Sequence, residues 1–231
     1  MPFTHTKIGM TIKNNIERIR HSLTLFDAAL IAVTKTQPVT TIKEAYDAGQ
    51  RAFGENKVQE MVEKQPHLPG DVEWHLIGHL QRNKVKYITP FVSLIHSVDS
   101  LRLLEEIDKQ GKKIGRVIPC LLQMFISNEE TKFGLDTQEL DELLLSPLTS
   151  TLHHVRIDGL MGMASLTENK DQIRSEFRSL KSLFESLKKK QLPRGMHMNE
   201  LSMGMSSDYT IALEEGSTMV RIGTALFGSR S

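Results

Sequence analysis

The sequence has only one cysteine, almost no net charge and no long apolar run. The single Cys120 excludes a disulfide within the chain, and its apolar surroundings, VIPCLLQMF, favour a buried side chain over a reactive thiol. Lys and Arg total 29 against 28 Asp and Glu, so no net field attracts nucleic acid or an anionic membrane surface. No stretch approaches the roughly 20 apolar residues of a membrane span, and the start of the chain lacks a signal-peptide core. We therefore expect a cytoplasmic protein with no nucleic-acid or membrane partner.

Short apolar runs alternate with amphipathic stretches along the chain, which is typical of strand and helix units around a parallel sheet. Eight runs are predicted to be strands, at residues 29–35, 51–55, 73–78, 93–99, 116–125, 155–163, 200–205 and 218–228. Helices are predicted between them at residues 40–49, 56–65, 81–89, 100–111, 137–145, 170–190 and 207–216. The first, fourth and last of these end in glycine, as a left-handed C′ position favours.

Eight such units predict an α/β fold of the (β/α)₈ barrel (TIM barrel) type, with residues 1–231 forming a single domain. An extra N-terminal helix is predicted from residue 6 to about residue 26, with Ile8, Ile12, Ile16, Ile19 and Leu23 on one stripe. An open doubly wound sheet would give similar local patterns. The Gly-x-Gly-x-x-Gly turn that often follows the first strand of such sheets is absent.

Residues at the carboxyl ends of the strands are the candidates for chemistry, because barrels of this type place their sites there. Lys35 follows the apolar run ALIAVT, so its amine would emerge from a desolvated wall. Desolvation favours the neutral amine, which is the form that attacks an aldehyde. The alternative is an interior lysine paired with a carboxylate such as Glu55.

Two hydroxyl-bearing loops are predicted to meet where barrels of this class often bind phosphate. They are SMGMSSD at the end of strand seven and RIGTALFG at the end of strand eight. Ser202, Gly223 and Thr224 are the predicted donors, since glycine allows close backbone approach and hydroxyls donate to phosphate oxygens. Taken separately, Gly204 and Gly223 could be turn glycines only.

A lysine across the barrel mouth from a phosphate cradle suits a phosphate ester that carries an aldehyde. Two ligands fit on chemistry alone. One is a sugar phosphate held by a lysine-dependent aldolase, and the other is pyridoxal 5′-phosphate (PLP) held as an internal aldimine.

Seven motifs then give a resemblance that covers residues 31–228. They are AVTKTQP, AFGENKVQE, WHLIGHLQRNK, HSVDS, GLMGM, ELSMGMSSD and STMVRIGTALFG. In this order they resemble the pyridoxal phosphate homeostasis protein family. The resemblance implies a barrel like the N-terminal domain of alanine racemase, with PLP joined as an imine to Lys35.

The same resemblance implies the remaining site residues. Asn56 is implied as a neighbour of the cofactor ring, and Ser202, Gly223 and Thr224 as the phosphate site. Arg221 is implied to face the pyridine nitrogen, where an always protonated guanidinium favours an unprotonated ring and weakens it as an electron sink. The alternative for Arg221 is an ion pair that supports barrel packing.

The function implied is a PLP carrier that buffers the cofactor or delivers it to PLP-dependent apoenzymes, with no residue assigned as catalytic. Alanine racemases use a second domain that brings a catalytic tyrosine, and the sequence after Gly228 is too short to supply one, so we also expect a monomer. Tyr46, Tyr87 and Tyr209 all lie in predicted helices. A PLP-dependent racemase-like enzyme remains the alternative.

A few polar residues allow further interpretations. Lys57 stands where many relatives carry an aromatic residue, and it either starts a helix facing solvent or adds a second amine near the cofactor. Lys132 is either a loop charge or a secondary anion contact. His75 and His79 lack the partners of a metal site, and His153 and His154, before strand six, are interpreted as structural.

Overall fold

The computed structural model describes residues 11–127 and 133–228, and it shows one closed barrel of eight parallel strands. Each strand pairs with the next along the chain, and the eighth pairs with the first. The strands are β1 (Ala29–Val33), β2 (Ala52–Glu55), β3 (Glu73–Leu76), β4 (Val92–Val98), β5 (Ile118–Met124), β6 (Val155–Gly162), β7 (Met196–Met205) and β8 (Met219–Ile222). The predicted TIM barrel is therefore confirmed, and the open sheet is excluded.

Nine α-helices lie within the described residues, most of them between consecutive strands. They are α1 (Ile12–Leu23), α2 (Val39–Asp47), α3 (Val58–Lys64), α4 (Val85–Ile88), α5 (Leu101–Ile114), α6 (Thr137–Leu145), α7 (Lys170–Lys188), α8 (Tyr209–Glu214) and α9 (Thr224–Phe227). Short 3₁₀ turns occupy Gln65–His67, Arg82–Lys84 and Thr149–Thr151. Thr11, Asp136 and Asn169 cap α1, α6 and α7 by accepting backbone N–H groups of the first turn.

Helix α5 is longer than its sequence suggests. A helix end was predicted at Gly111, but the helix continues to Ile114 and ends at Gly115, whose φ of 66° is left-handed. Gly111 is instead a packing position, because a Cβ there would lie 2.7 Å from the carbonyl oxygen of Arg116 and 2.8 Å from that of His154. Close packing against two backbone carbonyl groups, rather than the end of the helix, therefore explains the glycine at 111.

The N-terminal helix α1 covers part of the barrel with Ile16, Ile19 and Leu23, all buried. The Asn15 side chain donates to the carbonyl oxygen of Leu226 at 2.9 Å, which ties α1 to the last helix. Ile8 of the predicted stripe lies outside the described residues. Among the described helices, none has both the length and the apolar character needed to cross a bilayer.

The barrel interior changes from apolar to polar toward the carboxyl ends of the strands. Leu94, Leu121 and Met161 form a small buried cluster inside it. Since side chains two apart on a strand share a face, His96 lies directly above Leu94 on β4. The interior is therefore an apolar plug with a polar layer above it.

Replacement of Gly159 tests how tightly the strands pack. A Cβ at this position in β6 would overlap the backbone carbonyl of Glu200 on β7. We expect Gly159→Ala to lower the free energy of unfolding by at least about 2 kcal/mol, because backbone cannot move aside as a flexible side chain can. Gly70→Ala is the control, since a Cβ there meets nothing within 4 Å. Equal urea midpoints for the two variants would contradict this packing.

Candidate functional site

A cavity of about 620 Å³ lies at the carboxyl ends of the strands. Its wall includes five of the six residues predicted from the sequence, namely Lys35, Asn56, Arg221, Gly223 and Thr224. The sixth, Ser202, is fully buried within β7 and does not line the cavity. The fold thus gathers residues from both ends of the chain around one space.

Lys35 is placed on this wall by the end of β1. The strand pairing continues one residue beyond Val33, because the Thr34 N–H donates to the carbonyl oxygen of Gly54 at 2.9 Å. Lys35 follows at once and is half-buried, beside the apolar side chain of Val33. Glu55, which was considered as its ion-pair partner, forms a salt bridge with Lys64 at 2.8 Å.

Asn56 follows the end of β2 and reaches the cavity because it lies beside Gly78, in the loop after β3. The Ile77 N–H donates to the carbonyl oxygen of Glu55 at 2.9 Å, which extends the β2 and β3 pairing to the rim. A Cβ at Gly78 would overlap the backbone carbonyl of Asn56. Glycine at 78 therefore lets the chain at Asn56 pass close to β3.

The loops after β7 and β8 converge on one hydroxyl group. The Oγ of Ser206 accepts from the backbone N–H of Gly223 at 3.2 Å and from that of Ala225 at 3.3 Å. Ser206, Gly223, Thr224 and Ala225 all line the cavity. The two amides that point at the Ser206 oxygen, together with the hydroxyl groups of Ser206 and Thr224, form a set of donors suited to an anion.

Ser206 lines the cavity and was not among the residues predicted from the sequence, whereas Ser202 of the same motif was predicted and does not line it. Strand β7 extends to Met205, so Ser202 lies three residues, or about 10 Å, below the rim. The turn that ends the strand has a readable signal in Asp208. Its carboxylate accepts the N–H of Met205, three residues earlier, at 2.6 Å, which is one of the local side-chain-to-backbone bonds that aspartate forms.

Ser202 belongs to a buried chain of hydrogen bonds below the cavity floor. The Nδ1 of His75 is 2.9 Å from the Nε2 of His96, and the Nδ1 of His96 is 2.9 Å from the Oγ of Ser202. Arg221 donates to that Oγ at 2.6 Å and to the carbonyl oxygen of Gly162 at 3.0 Å. The guanidinium is thereby fixed in direction while it still reaches the cavity wall.

Burial is the main cause of the pKa shifts along this chain of hydrogen bonds. It lowers the pKa of His75 to about 4 and lowers the pKa of His96 well below its ordinary value, with the neighbouring His75 and Arg221 adding to the effect. Burial also lowers the pKa of Arg221 to about 10. At neutral pH the two histidines are therefore neutral and Arg221 is still protonated, so this buried chain of hydrogen bonds presents the positive charge of Arg221 to the cavity.

Other polar residues lie away from the cavity wall. Lys57 is exposed and is the N-cap residue of α3, as the first of its two interpretations stated. Lys132 lies outside the described residues. His79 is 3.4 Å from a carboxylate oxygen of Asp99, and no group of three or more His, Cys, Asp or Glu within residues 11–127 and 133–228 could hold a metal ion.

The structural interpretation of the other histidine pair agrees with its position. The backbone N–H of His154, before β6, donates to the Asp108 carboxylate on α5, away from the strand ends that form the cavity. All three tyrosines lie in helices, as predicted, and none of them lines the cavity.

Comparison with known proteins gives consistent matches over nearly the whole chain. The family model for the alanine racemase N-terminal domain matches residues 10–231. A pyridoxal phosphate homeostasis protein of Aquifex aeolicus is 42% identical over 204 residues, covering 88% of this chain and 87% of that protein. One of Escherichia coli K12 is 39% identical, covering 88% and 86%. The structure of PipY from Synechococcus elongatus with PLP bound has a TM-score of 0.84 and 38% identity, and the match covers 94% of this chain and all of that one.

The neutral histidines predict an acid-sensitive fold. In the unfolded chain His75 titrates near 6.5, so between that pH and about 4 the unfolded state binds more protons. Stability is therefore full above pH 6.5 and falls with decreasing pH, by up to about 1.4 kcal/mol per pH unit for each such histidine. We expect His75→Gln to reduce this slope in urea unfolding followed across the window, while His67→Gln, at an exposed position, leaves it unchanged. Identical slopes in wild type and His75→Gln would refute the buried neutral state.

Proposed function

Because the chain belongs to the alanine racemase N-terminal domain family and, within it, to the pyridoxal phosphate homeostasis proteins, we propose that it binds PLP through Lys35 and acts in PLP homeostasis. One observation carries the assignment to this site. A single cavity joins the amine-bearing end of β1 to the anion donors after β7 and β8.

The residues around the cavity fit both ends of the cofactor. PLP supplies an aldehyde that condenses with a primary amine and a pyridine ring that withdraws electrons. Lys35 provides the amine, from a wall shared with Val33. Ser206, Thr224 and the amides at 223 and 225 provide the phosphate donors. A Cβ at Gly223 would lie 3.4 Å from the Val33 side chain, so glycine keeps the two ends of the cavity close together.

The groups that face the ring favour holding the cofactor over using it. Arg221 presents a positive charge that discourages protonation of a ring nitrogen, and this weakens electron withdrawal. Racemisation also needs a second acid or base on the opposite face of the substrate. Among the described residues that line the cavity, none is Tyr, His, Cys, Asp or Glu. These features support a carrier rather than a racemase.

The proposal extends to the organisation and the partners of the chain. We propose that the barrel acts as one cofactor-binding domain and as a monomer, and that PLP-dependent apoenzymes receive the cofactor from it. The position of the site supports delivery, because the cavity lies at a rim formed by strand ends and loops.

Lys35 is expected to be the residue that PLP modifies. Protein mixed with PLP should turn yellow, and borohydride reduction followed by peptide mapping should place the cofactor on Lys35. We expect Lys35→Ala to lose both signals and Lys57→Ala, which changes an exposed lysine nearby, to keep them. A colourless wild-type protein or a label on another lysine would contradict the site. Steady amino-acid racemisation by the wild type, lost in Lys35→Ala, would instead establish an enzyme.

Ser206 is expected to contact the phosphate, whereas Ser202 is not. Loss of one hydrogen bond to a charged group corresponds to about a tenfold change in affinity. We therefore expect Ser206→Ala to bind PLP roughly tenfold more weakly and to bind pyridoxal, which lacks the phosphate, as the wild type does. Ser202→Ala should leave the affinity ratio of the two compounds unchanged. Titration of the three proteins with both compounds measures this ratio, and a change confined to Ser202→Ala would reverse the assignment.

A further inference from the structure

Lys35 sits in a strained turn. The carbonyl oxygen of Thr34 accepts the Gln37 N–H at 2.9 Å, so Lys35 and Thr36 are the two central residues of a four-residue turn. Thr36 has a φ of 65°. A positive φ at this position is normally taken by glycine or asparagine, and it is unfavourable for a β-branched side chain. The turn therefore needs contacts from elsewhere to hold it.

Two residues one turn apart on α3 supply such contacts on both sides of Lys35. The Nζ of Lys64 donates to the carbonyl oxygen of Thr34 at 2.9 Å. An Oε2 atom of Glu60 accepts the Thr36 N–H at 2.7 Å. Lys64 and Glu60 also bind each other at 2.9 Å. The peptide groups before and after Lys35 are thus both attached to one ion pair.

The ion pair is anchored in the barrel wall. Lys64 is only 8% exposed, and its ammonium also contacts the buried Glu55 carboxylate at 2.8 Å. That same oxygen of Glu55 accepts the Thr34 hydroxyl at 2.6 Å. The Lys64 Nζ thus donates to two carboxylates and a carbonyl, which fixes its direction, and Lys64 does not line the cavity.

We propose that Glu60 and Lys64 are positioning residues, which hold the turn at residues 34–37 and thereby aim the Lys35 amine into the cavity. The consequence for the cofactor rests on the proposed function. We call the bonds from Lys64 to Thr34 and from Glu60 to Thr36 the clamp. The clamp does not rest on the proposed function, because it is a property of the chain without cofactor. The two parts can therefore be tested separately.

Hydrogen exchange of the Thr36 amide tests the clamp in cofactor-free protein. We expect Glu60→Ala to exchange this amide roughly tenfold faster than the wild type, since its acceptor is lost. Glu60→Gln retains an acceptor oxygen and should restore part of the protection. Glu63→Ala removes an exposed glutamate from the same helix and should have no effect. Unchanged exchange in Glu60→Ala would overturn the clamp.

The rate of PLP capture at Lys35, measured by borohydride quenching and peptide mapping, tests the consequence. We expect Glu60→Ala to slow capture by roughly tenfold, with competition by inorganic phosphate unchanged, and Glu60→Gln to recover part of the rate. In a Thr36→Gly background the turn is relaxed, so the same Glu60→Ala change should matter less. An equal loss in both backgrounds, or a normal capture rate with fast exchange, would overturn the positioning role.

The outcomes separate this inference from the proposed function. If wild-type Lys35 captures no PLP, the proposed function fails and the positioning consequence fails with it, whereas Thr36 exchange still decides whether the clamp exists. If the wild type captures PLP and the variants do so equally fast, only the positioning role fails. Urea unfolding of each variant shows whether it is folded, and Glu60→Gln provides the comparison if Glu60→Ala is not.

Discussion

The parallel pairing of β8 with β1 is the constraint on which the site depends. Ile31 is in register with Arg221, and Ala32 with Ile222, so the two strands end at the same level of the barrel. The residues that follow them, Lys35 and Gly223, then meet on one cavity wall although they come from opposite ends of the sequence. An open sheet with the same helices and strands would leave these two strand ends apart. Closure is therefore what converts two ordinary loops into a single binding site.

The polar layer below the cavity consists of His75, His96, Ser202 and Arg221, and of these only Arg221 is charged at neutral pH. This makes the layer compatible with a closed barrel interior. A barrel centre that is plugged by Leu94, Leu121 and Met161 offers little solvation to ions. The histidines above the plug stay neutral, so they accept and donate hydrogen bonds without repelling the Arg221 guanidinium. The Arg221 guanidinium in turn donates hydrogen bonds to the Ser202 hydroxyl and the Gly162 carbonyl oxygen. A charged residue at the floor is thus tolerated because its neighbours are neutral.

The strands could be predicted from the sequence, but the side-chain network could not. Eight apolar runs predicted eight strands because each strand buries both faces, and the position of Lys35 at the end of β1 was predicted because it directly follows such a run. The sequence did not show that Ser206, rather than the predicted Ser202, would reach the cavity, because the end of β7 depends on a bond between Asp208 and the Met205 N–H. The bond between His96 and Ser202 joins residues 106 positions apart, and no local pattern marks such a pair. The role of Lys64 was hidden for the same reason, since a lysine on an amphipathic helix normally faces solvent.

A carrier and an enzyme place different demands on such a cavity. An enzyme must move protons beside the reacting carbon, which requires titratable groups that exchange protons with a substrate. Here four titratable residues around the site are held in structural contacts: His75 and His96 in the polar chain, and Glu60 and Lys64 at the turn that carries Lys35. What remains for a ligand is an amine, a cation and a set of neutral donors. Those groups can bind an aldehyde and a phosphate firmly, and the bonds they form are reversible, which is what storage and release of a reactive cofactor require.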